Sequence, residues 1–424
     1  MDFQFFNELL SIDSTSGKER DVAQWLVERL PGMFPVSNRP TLQADEVGDG
    51  TLNLLLTWGT PRVVFCSHLD TVPPYIPPMF CDRWPVKPAM TESIASGPTS
   101  PVNPGTMPPV IPGLTGNLPE AIAGRGSCDA KGQVFAMVSA CQLLAQKGCT
   151  DFGLLLLAGE ETGSWGAKAF AGTPFRAEYL VVGEPTDNCM VSASKGTKSF
   201  DLTFTGEAFH SGYPQFGVSA VELFVDFVNK LKAKDFGMDP VLGETTWNIG
   251  LVRSDNPQNI LSPELTCRLY FRTTFVSDEA VTAWMTAVPD MMRDGRPEGG
   301  TASGAFARTE PPRKSKVFGD PGRSRSDAEE AVPPSGRLTV TPRGGDTPAR
   351  YWTVEGLPSK SVAFGSDAPH LKNFTHKAIC GPGSITVAHR DNEHILVRDL
   401  ETAVEQYLAL YQAVQSSGAG RKNN

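Results

Sequence analysis

The sequence predicts an α/β domain with a mostly parallel sheet, interrupted by a small α+β insert of four strands and two helices. Three observations predict it. The runs VVFC (63–66), FGLLLLAG (152–159) and EYLVVGEP (178–185) are short, apolar and bounded by polar residues, as buried strands are. The apolar stretch VFAMVSACQLLAQ (134–146) lies between the first two, so strand, helix and strand alternate. From about residue 190 the texture changes to alternating strands and amphipathic helices.

Taken in order, Phe5, Leu9 and Leu10 recur at helical spacing before the turn Ser14-Thr15-Ser16-Gly17, and Val22, Trp25, Leu26 and Leu30 do so after it. Leu52 to Leu56 and then 63–66 read as strands, followed by the helix 134–146 and the strands at 152 and 178. SFDLTFTG (199–206) alternates like a half-exposed strand. Val218 to Lys232 reads as a helix with Val221, Phe224, Val225 and Val228 on one side. WNIGLV (247–252) and LTCRLYFRTTF (265–275) are strands, a helix follows at about 278–288, and RLTVTP (337–342) supplies the insert's last strand. Gly-rich turns and a closing helix from about Asp399 to Gln412 complete the chain. The domains are therefore drawn as 1–189 and 346–424 for the main body and 190–345 for the insert.

The 424 residues include 41 Gly and 35 Pro, an excess with two addresses. Residues 73–119 and 293–336 carry no run able to form a core element and read as solvated loop or disorder. Their texture also fits retained intron or frame-shifted sequence. The balance of 38 basic and 47 acidic residues gives a net charge of −9, which argues against nucleic acid bound through a basic face. No apolar stretch reaches about 18 residues, so no membrane span is predicted. The N-terminal residues lack a basic n-region and read as a helix start rather than a leader. Eight Cys without a C-x-x-C argue against a disulfide framework and fit a reducing cytoplasm.

Polar residues just after core strands lie where α/β enzymes place their chemistry. In SHLDTVP (67–73), His68 and Asp70 point to one side of an extended chain. Such a pair suits a metal ligand and the carboxylate that fixes its tautomer, or simply a neutral His beside a turn Asp. GRGSCDAKG (124–132) brings Asp129 round a tight turn, or places it as a helix cap; Cys128 reads as a buried structural thiol. GEETG (159–163) sets Glu160 beside Glu161 at the end of a buried strand, which is costly without a cation unless the pair is a solvated helix start. VGEPT (182–186) supplies Glu184, and CGPGSITVAHRDNEH (380–394) supplies His389. His376 and His394 read as packing or surface residues. Oxygen and imidazole donors without thiolate are typical of catalytic rather than structural zinc sites and suit two ions sharing a carboxylate. H-E-x-x-H, G-x-S-x-G, a P-loop and a well-placed G-x-G-x-x-G are absent.

The ordered set SHLDTVP, GRGSCDAKG, GEETG, VGEPT, SASKG, FHSGYP and GPGS…AHRDNEH resembles the acetylornithine deacetylase / succinyl-diaminopimelate desuccinylase / carboxypeptidase family of dinuclear zinc amidohydrolases. The likeness covers about 1–75, 122–292 and 337–412. GGDTPARYW…FGSDAPHL is similar to acetylornithine-deacetylase-like members in particular. The resemblance implies a zinc-peptidase-like catalytic domain with an inserted ferredoxin-like lid and dimerisation domain. It implies two zinc ions per chain, with Co²⁺ or Mn²⁺ as alternatives. His68 and Glu184 would bind one ion, Glu161 and His389 the other, and Asp129 both, with the peptide after Asp129 commonly cis. Asp70 would orient His68, and Glu160 would be the general base and then the proton donor. His210 would hold the substrate carbonyl oxygen, reaching the other subunit's site. Asn259 and Arg272 would contact the substrate carboxylate, and Gly381 to Gly383 would line the same region.

The activity so implied is hydrolysis of an N-acyl amino acid, acetylornithine first, in a cytoplasmic homodimer joined through the lid, with no nucleic acid or membrane partner. A desuccinylase or a di- or carboxypeptidase using the same ions is the nearest rival. A family member that has lost activity and acts as a binding protein is the rival of another class, because the segments 73–119 and 293–336 interrupt the matched regions.

Overall fold

The computed structural model describes residues 1–48, 50–81, 120–293 and 336–419. Of the two Gly- and Pro-rich stretches singled out above, 82–119 and 294–335 lie outside the described residues. Residues 73–81 end in the strand Met79–Cys81 with Phe80 in the core, so that part is not the solvated loop expected, because a three-residue strand is too short to leave a periodic signal. The chain forms two compact units, Met1–Lys195 with Ala349–Asn424, and Gly196–Pro348.

The first unit is built on a six-stranded sheet in the order Thr41–Val47, Thr51–Gly59, Asp151–Leu157, Val63–His68, Ala177–Val182 and Phe374–Ile379. The last four strands are parallel to one another, and the first two join as an antiparallel edge. Side chains alternate across a strand, and the sheet uses both faces. Val63, Phe65, Leu154 and Leu156 enter one apolar core, with Phe5, Phe6, Phe135, Leu144 and Tyr407 of the helices Phe3–Ser11, Lys131–Gln146 and Val397–Ala419. Val64, Cys66, Leu155 and Leu157 enter the other, with Ala167 and Phe170 of the helix Trp165–Ala171. A strand buried on both faces needs apolar residues throughout, which is why these segments read as unbroken runs. The edge strand Thr41–Val47 is mostly exposed, and its sequence TLQADEV carries no apolar signal. Two three-stranded sheets complete the unit, Ala349–Arg350/Met190–Ser194/Ser359–Val362 and His394–Leu396/Ala121–Ala123/Met79–Cys81. All eight cysteines are free thiols. Among the described residues no helix is long and apolar enough to cross a membrane.

The second unit is an antiparallel sheet in the order Thr246–Arg253, Glu264–Thr273, Gly196–Thr205 and Arg337–Gly344, with the helices Ala220–Ala233 and Asp278–Arg293. This is the βαββαβ order expected of a ferredoxin-like insert. Phe200, Leu202 and Phe204, at every second position, share a core with Phe227, Leu231, Val281, Met285 and Val288. Ser219 caps the first helix by accepting from the Glu222 amide, an S-x-x-E start. One detail of the helix differs from expectation. Val221 and Val225 are exposed, and the buried stripe runs through Ala220, Phe227 and Leu231. The apolar face is thus rotated relative to the one expected, because Ala220, Phe227 and Leu231 face the sheet while Phe224 and Val228 are only partly buried at its margin.

Candidate metal centre

Four parallel strands side by side end along one edge. His68 lies opposite Leu157, Cys66 opposite Val182, and Val182 opposite Ile379. The chain leaving each strand therefore delivers its polar residues to the same edge, as open α/β sheets do. His68 closes the first, Glu160 and Glu161 follow the second, Glu184 the third, and the turn bearing His389 comes after the fourth. Asp129 arrives from the Gly-rich loop before the helix Lys131–Gln146.

Asp129 stands between two imidazoles. Its Oδ1 is 3.2 Å from His68 Nε2 and its Oδ2 is 3.2 Å from His389 Nε2. His389 Nε2 also lies 2.9 Å from Glu161 Oε1. One donor atom each from His68, Asp129 and Glu161 falls within 4.8 Å of the others. His389 holds a left-handed backbone, φ 63°, rarely adopted by a side-chain-bearing residue outside functional or tightly fixed positions. The Asp129–Ala130 peptide is cis. Asp70 divides its contacts. Its backbone carbonyl, at 3.0 Å, is closer to His68 Nδ1 than its carboxylate, at 3.4 Å. The carboxylate accepts from the amides of Glu160 and Glu161 at 3.0 and 3.1 Å and from the Ser16 hydroxyl at 2.9 Å. Asp70 therefore seats the Glu160–Glu161 turn as well as facing His68.

The site crowds several carboxylates around two imidazoles. Burial opposes a charged His68, but Asp129, Asp70 and the field of Glu160 outweigh it and hold the imidazole well above its usual pKa. Contacts with Asp129 and Glu161 push His389 up to about 10. Burial, with neighbouring acids, raises Glu160 and Glu184 well above the carboxylate range. Burial also works against the charged form of Asp129, yet His389 and His68 keep its carboxyl below that range. Glu184 is buried, and its Oε1 has no hydrogen-bond partner among the described residues. Buried polar atoms are normally satisfied, so an orphaned carboxylate oxygen within the field of His68 and Asp129 fits a divalent ion. The donor set is nitrogen and oxygen throughout, suited to Zn²⁺, Co²⁺ or Mn²⁺.

Gly381 and Gly383 pack closely against the centre's supports. A Cβ on Gly381 would meet the Glu184 carbonyl at 2.7 Å and the Gln133 side chain, and one on Gly383, whose φ is 76°, would meet Cys128 Sγ at 2.6 Å. Close packing, and at Gly383 the left-handed backbone as well, calls for glycine at these positions. His376 stacks on Tyr179 and His394 bonds to the Asn392 carbonyl, both as packing residues. The remaining candidates belong to the second unit. There His210 pairs through its backbone with Ile260, next to Asn259, and accepts from the Gly212 amide, while Arg272 lies over the Tyr270 ring.

Three buried charged residues near the centre went unassigned in the sequence. Asp367, raised to about 6 chiefly by burial, interacts with His68, Asp70 and His370 and receives a hydrogen bond from Ser164. Arg125 and Glu393 form a buried ion pair at 2.6 Å. Each sits inside a quoted motif, FGSDAPHL, GRGSCDAKG or AHRDNEH, which was the available signal.

Residues 192–299 match the family model of the M20 peptidase dimerisation domain. Probable carboxypeptidases of Aspergillus flavus and Aspergillus oryzae are each 29% identical over 434 residues, spanning 96% of this chain and 86% of theirs. The chain thus resembles the M20 peptidases and carries a match to their dimerisation domain. The chain is a hydrolase acting on amide bonds. The fold agrees. A tripeptidase of Staphylococcus aureus superposes with a TM-score of 0.68 at 18% identity, covering 97% of both chains. An M20 metallo-carboxypeptidase of Sulfolobus solfataricus gives 0.55 at 14%, covering 96% of this chain and 98% of that one. The M20 dimerisation model falls largely on the second unit, and the candidate centre lies wholly within the first.

Proposed function

We propose that this chain is an M20 hydrolase that cleaves, with two divalent ions, an amide whose amine side carries a free carboxylate. The last bond of a short peptide and the acyl bond of an N-acylated amino acid share that unit. The observation that carries the reading is Asp129, held between His68 and His389, with Glu161 against the same His389 nitrogen. His68 and Glu184 would hold one ion, Glu161 and His389 the other, and Asp129 both. Bound ions would supply positive charge that acidifies water and polarises a carbonyl oxygen.

Glu160 is the proton carrier in this scheme. Its raised pKa suits a group that takes a proton from water and returns it to the departing amine. Asp70 fixes the turn from which Glu160 projects. His210 is assigned to the carbonyl oxygen, and Asn259 and Arg272 to the substrate carboxylate, on the family resemblance, in a homodimer supported by the dimerisation-domain match.

The curated relatives' names favour the peptide form of the substrate, and the segment GGDTPARYW…FGSDAPHL favours N-acetylornithine. A panel of dipeptides, N-acetylornithine, N-acetylcitrulline and N-succinyl-diaminopimelate, assayed with and without chelator, tests both. Turnover of dipeptides that stops with chelator and returns with Zn²⁺ or Co²⁺ supports the carboxypeptidase form. Turnover of N-acetylornithine alone supports the deacetylase form. Activity indifferent to chelation, or a purified chain that takes up no metal, would refute the scheme.

A further inference from the structure

Arg125 and Glu393 have no part in the scheme above, yet their side chains are almost completely buried, 1% and 0% exposed. A buried ion pair is a weak source of stability, since desolvation offsets much of the attraction, so its placement calls for another reason. Glu393 Oε1 accepts from the amides of Gly126, Cys128 and Asp129 at 2.9, 3.0 and 3.0 Å. Its Oε2 accepts from Arg125 Nη1 at 2.6 Å. Arg125 also donates to the carbonyls of Pro74 and Arg390, at 3.1 and 3.3 Å. The backbone repeats the pattern, with Gly124 N bonded to the Glu393 carbonyl and Arg125 N to that of Ile76.

These contacts tie together three stretches far apart in the chain. One leaves His68 and Asp70, one carries Asp129, and one carries His389. We infer that Arg125 and Glu393 are positioning residues for the metal centre. Glu393 gathers the amides of the Asp129 loop so that one carboxylate oxygen faces His68 and the other faces His389. Arg125 fixes that loop to the two stretches bearing the imidazoles. The inference rests on the metal-centre reading and adds a role for two side chains that touch no donor atom.

The test is cobalt binding to the full chain. In Glu393→Gln a neutral carbonyl oxygen replaces the carboxylate oxygen that serves three amides, while the new NH₂ faces the Arg125 guanidinium donor to donor, so the loop's anchor is weakened. Co²⁺ affinity should fall about ten- to hundredfold, as it does when groups supporting metal ligands are removed. The visible absorption of bound Co²⁺, which reports ligand geometry, should shift as well. Arg125→Lys keeps the charge but loses the fork that reaches Pro74 and Arg390, and should move both readouts the same way by less. Glu178→Gln, which breaks the half-buried Arg62–Glu178 pair elsewhere in the same unit, should move neither. Near-ultraviolet circular dichroism identifies the folded variants. Wild-type affinity and an unchanged spectrum in folded Glu393→Gln overturn the inference, and in Arg125→Lys they do so if the first variant does not fold. A wild-type chain that binds no cobalt overturns the metal-centre reading and this inference together.

Discussion

Glu160→Gln should abolish turnover and leave ion binding intact. Glu160 emerges from the turn after the strand Asp151–Leu157, where Asp70 holds its amide at 3.0 Å. Removing a general acid–base group costs about 10²- to 10⁴-fold, or about 3 to 5 kcal/mol of transition-state stabilisation. A second magnitude concerns the ion-free protein. After burial itself, the Glu160 charge is the largest cause that raises Glu184, so the two carboxylates repel in a confined space. A neutral amide relieves that repulsion, and the ion-free variant should melt no lower than the ion-free wild type. The measurements are kcat on the best substrate of the panel, metal content by elemental analysis, and Tm in chelator. Loss of metal together with activity would make Glu160 a ligand. A kcat within tenfold of wild type would remove it from proton transfer, and a Tm several degrees lower would contradict the repulsion argument.

Other expectations concern packing and pH. Trp58 is 1% exposed, stacks on Phe152 at 4.3 Å and meets Phe34 edge-on at 4.8 Å, so Trp58→Ala should cost about 3 to 5 kcal/mol in urea unfolding. Gly381→Ala would press a methyl onto the Glu184 carbonyl and should cost about 1 to 3 kcal/mol, with metal content falling because Glu184 must move. Asp13 is held at about 2, since its bonds to Lys18 and Thr15 outweigh partial burial. Its folded pKa lies below the unfolded value of 3.8, so its contribution is present above about pH 4 and disappears as pH falls through about 2. Asp13→Asn should accordingly flatten the stability curve across that window, as read by Tm against pH.

Much of the first unit was legible because a strand buried on both faces must be apolar along its length. The acids that interrupt such runs stood out at 160, 161 and 184, and the parallel sheet set them on one edge. The strand Thr41–Val47 escaped notice because an exposed edge imposes no pattern. In the second unit, Phe200, Leu202 and Phe204 announced themselves by alternation, whereas Val221 and Val225 misled because an apolar residue at helical spacing can face outward. Arg125, Glu393 and Asp367 were beyond a local reading. Their partners lie hundreds of positions away, and a lone Arg or Glu in a polar motif looks like solvated surface until the fold buries it.

The short strands Met79–Cys81 and Ala121–Ala123 pair antiparallel, Cys81 opposite Ala121, and the Glu120 amide bonds to the Cys81 carbonyl. Whatever chain joins Cys81 to Glu120 thus departs and returns at a single ladder rung. The spacing between His68 and Asp129 is set on the near side of that rung and is insulated from the length beyond it. Lengthening such a connection from about 5 to about 40 residues costs on the order of 2 kcal/mol in closure entropy. The rung is therefore a natural graft point, where evolution or an engineer can exchange a tight turn for a long segment and leave the candidate metal centre undisturbed.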